Sequence, residues 1–113
     1  NNPGRLPATE PETVIMVNAV YDYKPWMIIQ MHQPFGKLYT SGDVPGELYN
    51  NMSMLSGYDI ACDIGYDTPG SFGSYAGSRR PGIPVLTFEI GSINYEPDYG
   101  RINLALLEAA NYR

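Results

Sequence analysis

The run Trp26-Met27-Ile28-Ile29-Gln30-Met31 constrains the fold more than any other feature of this chain. It is apolar except for Gln30, and it does not alternate between apolar and polar residues. A strand exposed on one face alternates, whereas a strand covered on both faces need not. The run is also too short for a buried helix. It is therefore expected to form a strand buried on both faces. A second run of the same kind, Val85-Leu86-Thr87-Phe88-Glu89-Ile90, lies near the other end of the chain. Two such strands predict a sheet with helices on both sides.

The segments between them supply the helices. Residues 1–11 are rich in proline and polar residues and read as an extended entry. Thr9, with Glu12 three residues on, has the pattern of a capping box. Val14, Val17, Val20 and Tyr21 then recur at helical spacing through Tyr23, and Pro25 ends the helix. Residues 33–42, with Pro34, Gly36 and Gly42, read as a loop. Asp43 is placed to cap a second helix carrying Leu48, Met52 and Leu55 on one face, with Gly57 as its stop. Ile60, Cys62 and Ile64 alternate with smaller or polar residues, as in a half-buried strand or an extended loop. A turn-rich stretch follows, then a short helix through Tyr75 and Ala76 to Arg80. After a loop from Gly91 to Gly100, a terminal helix carries the stripe Ile102, Ala105, Leu106 and Ala109. Helices thus alternate with strands, which predicts an α/β fold. Two or three strands are few for a sheet of this class, where about four to six is usual. The chain is accordingly expected to be part of a larger, mixed, mostly parallel sheet flanked by helices.

Composition removes several function classes. The chain has 113 residues, enough for one domain. Its net charge is −5, and Lys24 and Lys37 are its only lysines. A protein that grips a phosphate backbone needs a basic surface, so nucleic acid is not an expected partner. No stretch approaches the ~20 apolar residues of a membrane span. Cys62 is the only cysteine, which excludes an internal disulfide and a zinc site built of thiolates. A lone cysteine fits a reducing compartment, a lean towards the cytoplasm. The start Asn1-Asn2-Pro3-Gly4 lacks an initiator methionine and suggests a processed product or a piece of a longer chain.

Two residues stand where chemistry is expected. His32 is the only histidine and ends the first strand. In open α/β sheets, sites form at the carboxyl ends of strands. A boundary histidine with satisfied ring nitrogens fits the same position. Glu89 interrupts the second strand just before Ile90-Gly91. A carboxylate there is either a strand-end residue reaching water or an arginine, or a general base set by its surroundings. The stretch Thr68-Pro69-Gly70-Ser71-Phe72-Gly73-Ser74 could present backbone N–H groups to a ligand. It lacks the lysine and spacing of a phosphate loop.

Three segments, in order, resemble the C-terminal half of the zinc carboxypeptidase family. They are the strand ending in His32, the stretch Gly65-Tyr66-Asp67-Thr68-Pro69-Gly70-Ser71-Phe72-Gly73-Ser74-Tyr75, and the strand Ile83-Pro84-Val85-Leu86-Thr87-Phe88-Glu89. The middle stretch looks like the bacterial murein peptide amidase branch. The resemblance implies a three-layer α/β/α, phosphorylase/hydrolase-like fold. Residues 1–113 would be the C-terminal part of one catalytic domain. It implies Zn2+ as cofactor, His32 as the third zinc ligand and Glu89 as the residue that activates water. It also implies that Tyr75 shapes the side-chain pocket and that Tyr66, Thr68 and Ser71 line the substrate site.

The family's other two zinc ligands, in a His-x-x-Glu motif, have no match in this sequence. They are expected from a preceding segment or another chain. The position of the family's mobile tyrosine falls on Thr68 or near Asp67, so no catalytic tyrosine is assigned. The implied activity is hydrolysis of a peptide amide bond, in a short peptide or a murein peptide such as γ-D-glutamyl-diamino acid. The alternative is a non-catalytic binding or scaffold remnant of the same fold that holds no zinc.

Overall fold

The computed structural model describes residues 6, 8–63, 65, 68, 70–79, 82–92 and 94–112. Its elements are α1 (Pro11–Tyr23), β1 (Ile28–His32), β2 (Lys37–Ser41), α2 (Gly46–Ser56), β3 (Asp59–Ile60), α3 (Phe72–Gly77), β4 (Val85–Glu89) and α4 (Tyr99–Asn111). The four strands form one sheet in the order β1-β4-β2-β3. β1 runs parallel to β4, and β2 parallel to β3; only β2 and β4 are antiparallel. The architecture is thus the expected mixed, mostly parallel sheet flanked by helices.

Strand pleating separates the two faces of this sheet. On one face stand Leu38, Leu86 and Phe88, all fully buried. Leu48 and Met52 of α2 and Ile102, Ala105 and Ala109 of α4 pack against them to make the core. Full burial of a side chain the size of Leu or Phe contributes about 1.5–3 kcal/mol, so this layer dominates the stability of the unit. The opposite face carries Gln30, His32, Tyr39, Thr87 and Glu89, and α3 lies against it. One face of the sheet is therefore core; the other is polar toward the carboxyl ends of β1 and β4, with Ile28 and buried Val85 at their starts.

The helix ends show how α2 and α4 are joined. α2 ends on Gly57, whose φ of 78° is a left-handed conformation that glycine adopts without strain. Arg101 of α4 reaches across and donates from Nε to the Leu55 carbonyl at 2.9 Å and from Nη2 to the Met54 carbonyl at 3.0 Å. A cation thus satisfies carbonyls that the last turn leaves without intrahelical partners. Asp98 caps α4 by accepting from the Arg101 backbone N–H.

Several local expectations differ from the structure. Thr9 does not cap α1: its hydroxyl donates to the Leu6 carbonyl, and the helix starts after Glu10 with Pro11 in its first turn. Proline there is pre-set for a helix start and takes the place of a capping box. Asp43 does not cap α2, which begins after Pro45. Residues 37–41 are β2 rather than loop. Their mixed composition hid a strand whose pairing partner, β4, lies far away in sequence. Where Ile60, Cys62 and Ile64 alternate, β3 takes only Asp59–Ile60, Cys62 lies outside any strand, and Ile64 lies outside the described residues. α3 ends at Gly77, short of Arg80, which lies outside the described residues.

The largest difference concerns β1. It is an edge strand, and Met31 is 46% exposed, so β1 is not buried on both faces within this chain. The strand buried on both faces is β4.

Candidate active site

Parallel pairing of β1 with β4 brings His32 directly opposite Glu89 at the carboxyl ends of both strands. Two residues back, Gln30 is opposite Thr87 on the same face, and the Thr87 hydroxyl lies 3.2 Å from Gln30 Oε1. These four side chains form two rungs at one end of the sheet. They line a cleft of about 230 Å3, whose far wall includes Asp63, Thr68 and Ser71.

The loops at the end of β4 pack closely together. Residues 33–36 carry the chain from β1 across the end of β4 into β2. The chain leaving β4 crosses the same space. Gly36, with φ of 60°, lies so close that a Cβ there would come within 3.0 Å of the Gly91 carbonyl oxygen. Tyr58 accepts from the Gly91 N–H at 2.7 Å and fixes the crossing. Two glycines therefore let both loops pass the strand end, and Glu89, the last residue of β4, is only 5% exposed.

Glu89 is the anomaly of the site. Its Oε2 is buried and has no hydrogen-bond partner. A buried carboxylate without a partner is costly, and a fold that keeps one gives it a proton, a cation or a ligand in its working state. His32, next to it, is exposed. An imidazole beside a carboxylate is a nitrogen and oxygen donor set of the kind zinc takes. Among the described residues, however, no group of three or more His, Cys, Asp or Glu is placed to hold a metal ion. His32 therefore fits as one ligand, and a complete shell needs donors from outside the described residues.

Ser71 and Thr68 hold the turn in shape. Ser71 is the N-cap of α3: its hydroxyl oxygen accepts from the Ser74 N–H at 3.1 Å. The Thr68 carbonyl accepts from the Ser71 N–H. Both residues line the cleft. Gly73 matters through its missing side chain, because a Cβ there would lie 3.0 Å from Gln30 Oε1.

Tyr75 is placed elsewhere. It is not among the residues lining the cleft; its ring lies near Phe72, and the Arg79 guanidinium is 5.9 Å from its centroid. The structure therefore gives no geometric support to Tyr75 as the residue shaping this pocket. Tyr66 lies outside the described residues.

Reasoning from sequence singled out His32 and Glu89 but passed over Gln30, Thr87, Tyr39, Cys62 and Asp63, which also line the cleft. The signal for Gln30 and Thr87 was present: each stands two residues before a candidate, and a period of two puts them on one face. Tyr39 could not be found, because β2 was not recognised as a strand.

The fold is an α/β layer whose candidate site sits at the carboxyl ends of parallel strands. Among solved structures it resembles murein-tripeptide amidase MpaA from Escherichia coli O157, with a TM-score of 0.70 and 23% identity, over 90% of this chain and 44% of that one. Murein peptide amidase A of Vibrio campbellii is 25% identical over 85 residues, which are 75% of this chain and 33% of that protein. The chain therefore spans about a third of the length of this curated relative. No protein-family model matches the sequence.

Proposed function

We propose that this chain is the C-terminal part of the catalytic domain of a zinc-dependent peptide amidase of the murein peptide amidase kind. The observation that carries this reading is the buried, unpartnered Oε2 of Glu89 beside His32 in an open cleft. The likeness to two murein peptide amidases supports the same chemistry. His32 would hold the metal together with ligands from the preceding part of the domain or from another chain. When bound, zinc supplies Lewis acidity at the amide carbonyl and lowers the pKa of water toward ~7.

The chain's own residues then have definite tasks. Glu89 accepts a proton from the attacking water as the oxygen bonds to the carbonyl carbon. It returns that proton to the leaving amine as the C–N bond breaks. The geometry favours this role, because Oε2 has no hydrogen-bond partner that would compete for the proton. Gln30 and Thr87 form the floor beside it. Thr68 and Ser71 line the wall along which the peptide lies. Tyr66 belongs to the same segment and is proposed as a further substrate contact. The substrate is a short peptide or murein peptide, with the γ-D-glutamyl-diamino acid bond as the leading candidate. The free outer edge of β1, with exposed Met31, is where the rest of the sheet adds.

The test pairs metal content with turnover in the complete domain. The parent is expected to bind one zinc and cleave a γ-D-glutamyl-diamino acid peptide. His32→Ala is expected to lose most of the zinc, since it removes a protein ligand from a site that has ~three. A parent that binds no zinc and cleaves neither this peptide nor an ordinary C-terminal dipeptide would establish a non-catalytic scaffold instead.

A further inference from the structure

A second hollow, of about 400 Å3, lies at the other end of the strands. It is bounded by the last turn of α1, the segment entering β1 and the segment entering β4. It shares no lining residue with the cleft at Glu89. Val20, Tyr21, Trp26 and Ile83 form apolar and aromatic walls, and Lys24 and Arg79 supply the charge.

Arg79 is held in an unusual way. Its guanidinium carbon is 4.2 Å from the centroid of the Tyr21 ring and 5.9 Å from that of Tyr75. Aromatic faces orient a planar cation and leave its N–H edge for an in-plane acceptor. No such acceptor is present among the described residues. Nη1 is buried without a hydrogen-bond partner, and the ion pair among the described residues is Lys37 with Asp59, elsewhere on the molecule. Lys24, at the end of α1, adds a second cation, and no described residue lining the hollow is acidic. In a chain of net charge −5, two cations converge here with no counter-charge beside them. A concave site lined by one sign of charge concentrates ligands of the other sign. A fixed guanidinium fork matches a carboxylate, which can accept two parallel N–H bonds. Trp26 stacks with Tyr112 at 6.1 Å between centroids yet is 51% exposed, and its remaining surface can take a flat apolar body.

We propose that this hollow is a binding site for a small organic carboxylate with an aromatic or apolar body. The carboxylate pairs with Arg79, assisted by Lys24, and the body packs against Trp26. The site does not depend on the proposed hydrolysis.

Trp26 is the only tryptophan of the chain, so its fluorescence reports directly on this hollow. Benzoate is the probe, and benzamide is its neutral counterpart of nearly equal shape. Titration of the protein with benzoate is expected to give a saturable change in Trp26 emission, absent in Trp26→Phe. Benzamide should bind at least about tenfold more weakly, a difference expected of a charge-assisted pair. Arg79→Gln should weaken benzoate by a similar factor, and Lys24→Gln by several-fold. Added salt should weaken benzoate but not benzamide. Glu89→Gln should leave benzoate binding unchanged, which separates this site from the cleft. Equal affinity for benzoate and benzamide, or no saturable response at tens of millimolar, would overturn the proposal. Arg79→Gln could unfold the contact with Tyr21, so Lys24→Gln stands as the second variant. Unchanged benzoate affinity and salt dependence in Lys24→Gln would overturn the role of paired cations.

Discussion

Replacing Glu89 by glutamine should move stability and activity in opposite directions. The side chain is 5% exposed and its Oε2 has no partner, so the fold carries an uncompensated buried carboxylate. An unsatisfied buried polar group costs about 1–3 kcal/mol, and more when charged. The amide has almost the same shape and no charge. The amide remains an unsatisfied polar group and sheds only the added cost of charge, so Glu89→Gln should stabilise the metal-free protein by about 1 kcal/mol. For a domain of this size, that is a rise in Tm of about 3 °C. The same substitution removes the proposed proton acceptor. Loss of one general base typically costs ~10²–10⁴-fold in rate, or about 2.7–5.5 kcal/mol of barrier. The assays are thermal unfolding after chelation and hydrolysis of a γ-D-glutamyl-diamino acid peptide with zinc present. A variant that is both less stable and nearly as active as the parent would refute the reasoning on both counts. A stabilised variant with normal turnover would refute the general-base role alone.

Two further predictions concern the scaffold. Gly57→Ala should destabilise by about 1–3 kcal/mol: it strains a left-handed residue, and its Cβ would meet Arg101 Nη1 at 2.7 Å. Denaturant midpoints should show the loss, and the loss should shrink in an Arg101→Gln background. Tyr49 donates to the Leu38 carbonyl at 2.7 Å, and its pKa is pushed up to about 12, first by burial and then by nearby Cys62 and Tyr39. The neutral phenol's contribution is complete below the ordinary value of 10.0. As pH rises from there to about 12, the unfolded chain gives up this proton before the folded one does, so stability falls. Tyr49→Phe should flatten that part of the pH profile, at a cost of about 0.5–1.5 kcal/mol at neutral pH from the lost bond.

The sequence by itself determined the strand near each end, the helices around them and the two residues that end the strands. Periodicity is a local property, and α2 and α4 could be read from it because their apolar stripes face a single core. Gly57 as a helix stop was legible for a similar reason: a left-handed terminus favours glycine whatever surrounds it. The site was only half legible. His32 and Glu89 were singled out by residue type and position, but their meeting depends on β1 pairing with β4 across more than fifty residues. Register of that kind is a tertiary fact, set by which faces α2, α3 and α4 cover. The same holds for β2, whose sequence does not announce a strand and which exists because β4 offers it an edge. Tyr75 shows the limit in the other direction: it follows the expected motif, yet α3 turns its ring toward Arg79 and away from the cleft. A helix of six residues has few faces, and packing alone decided which one looks at the site.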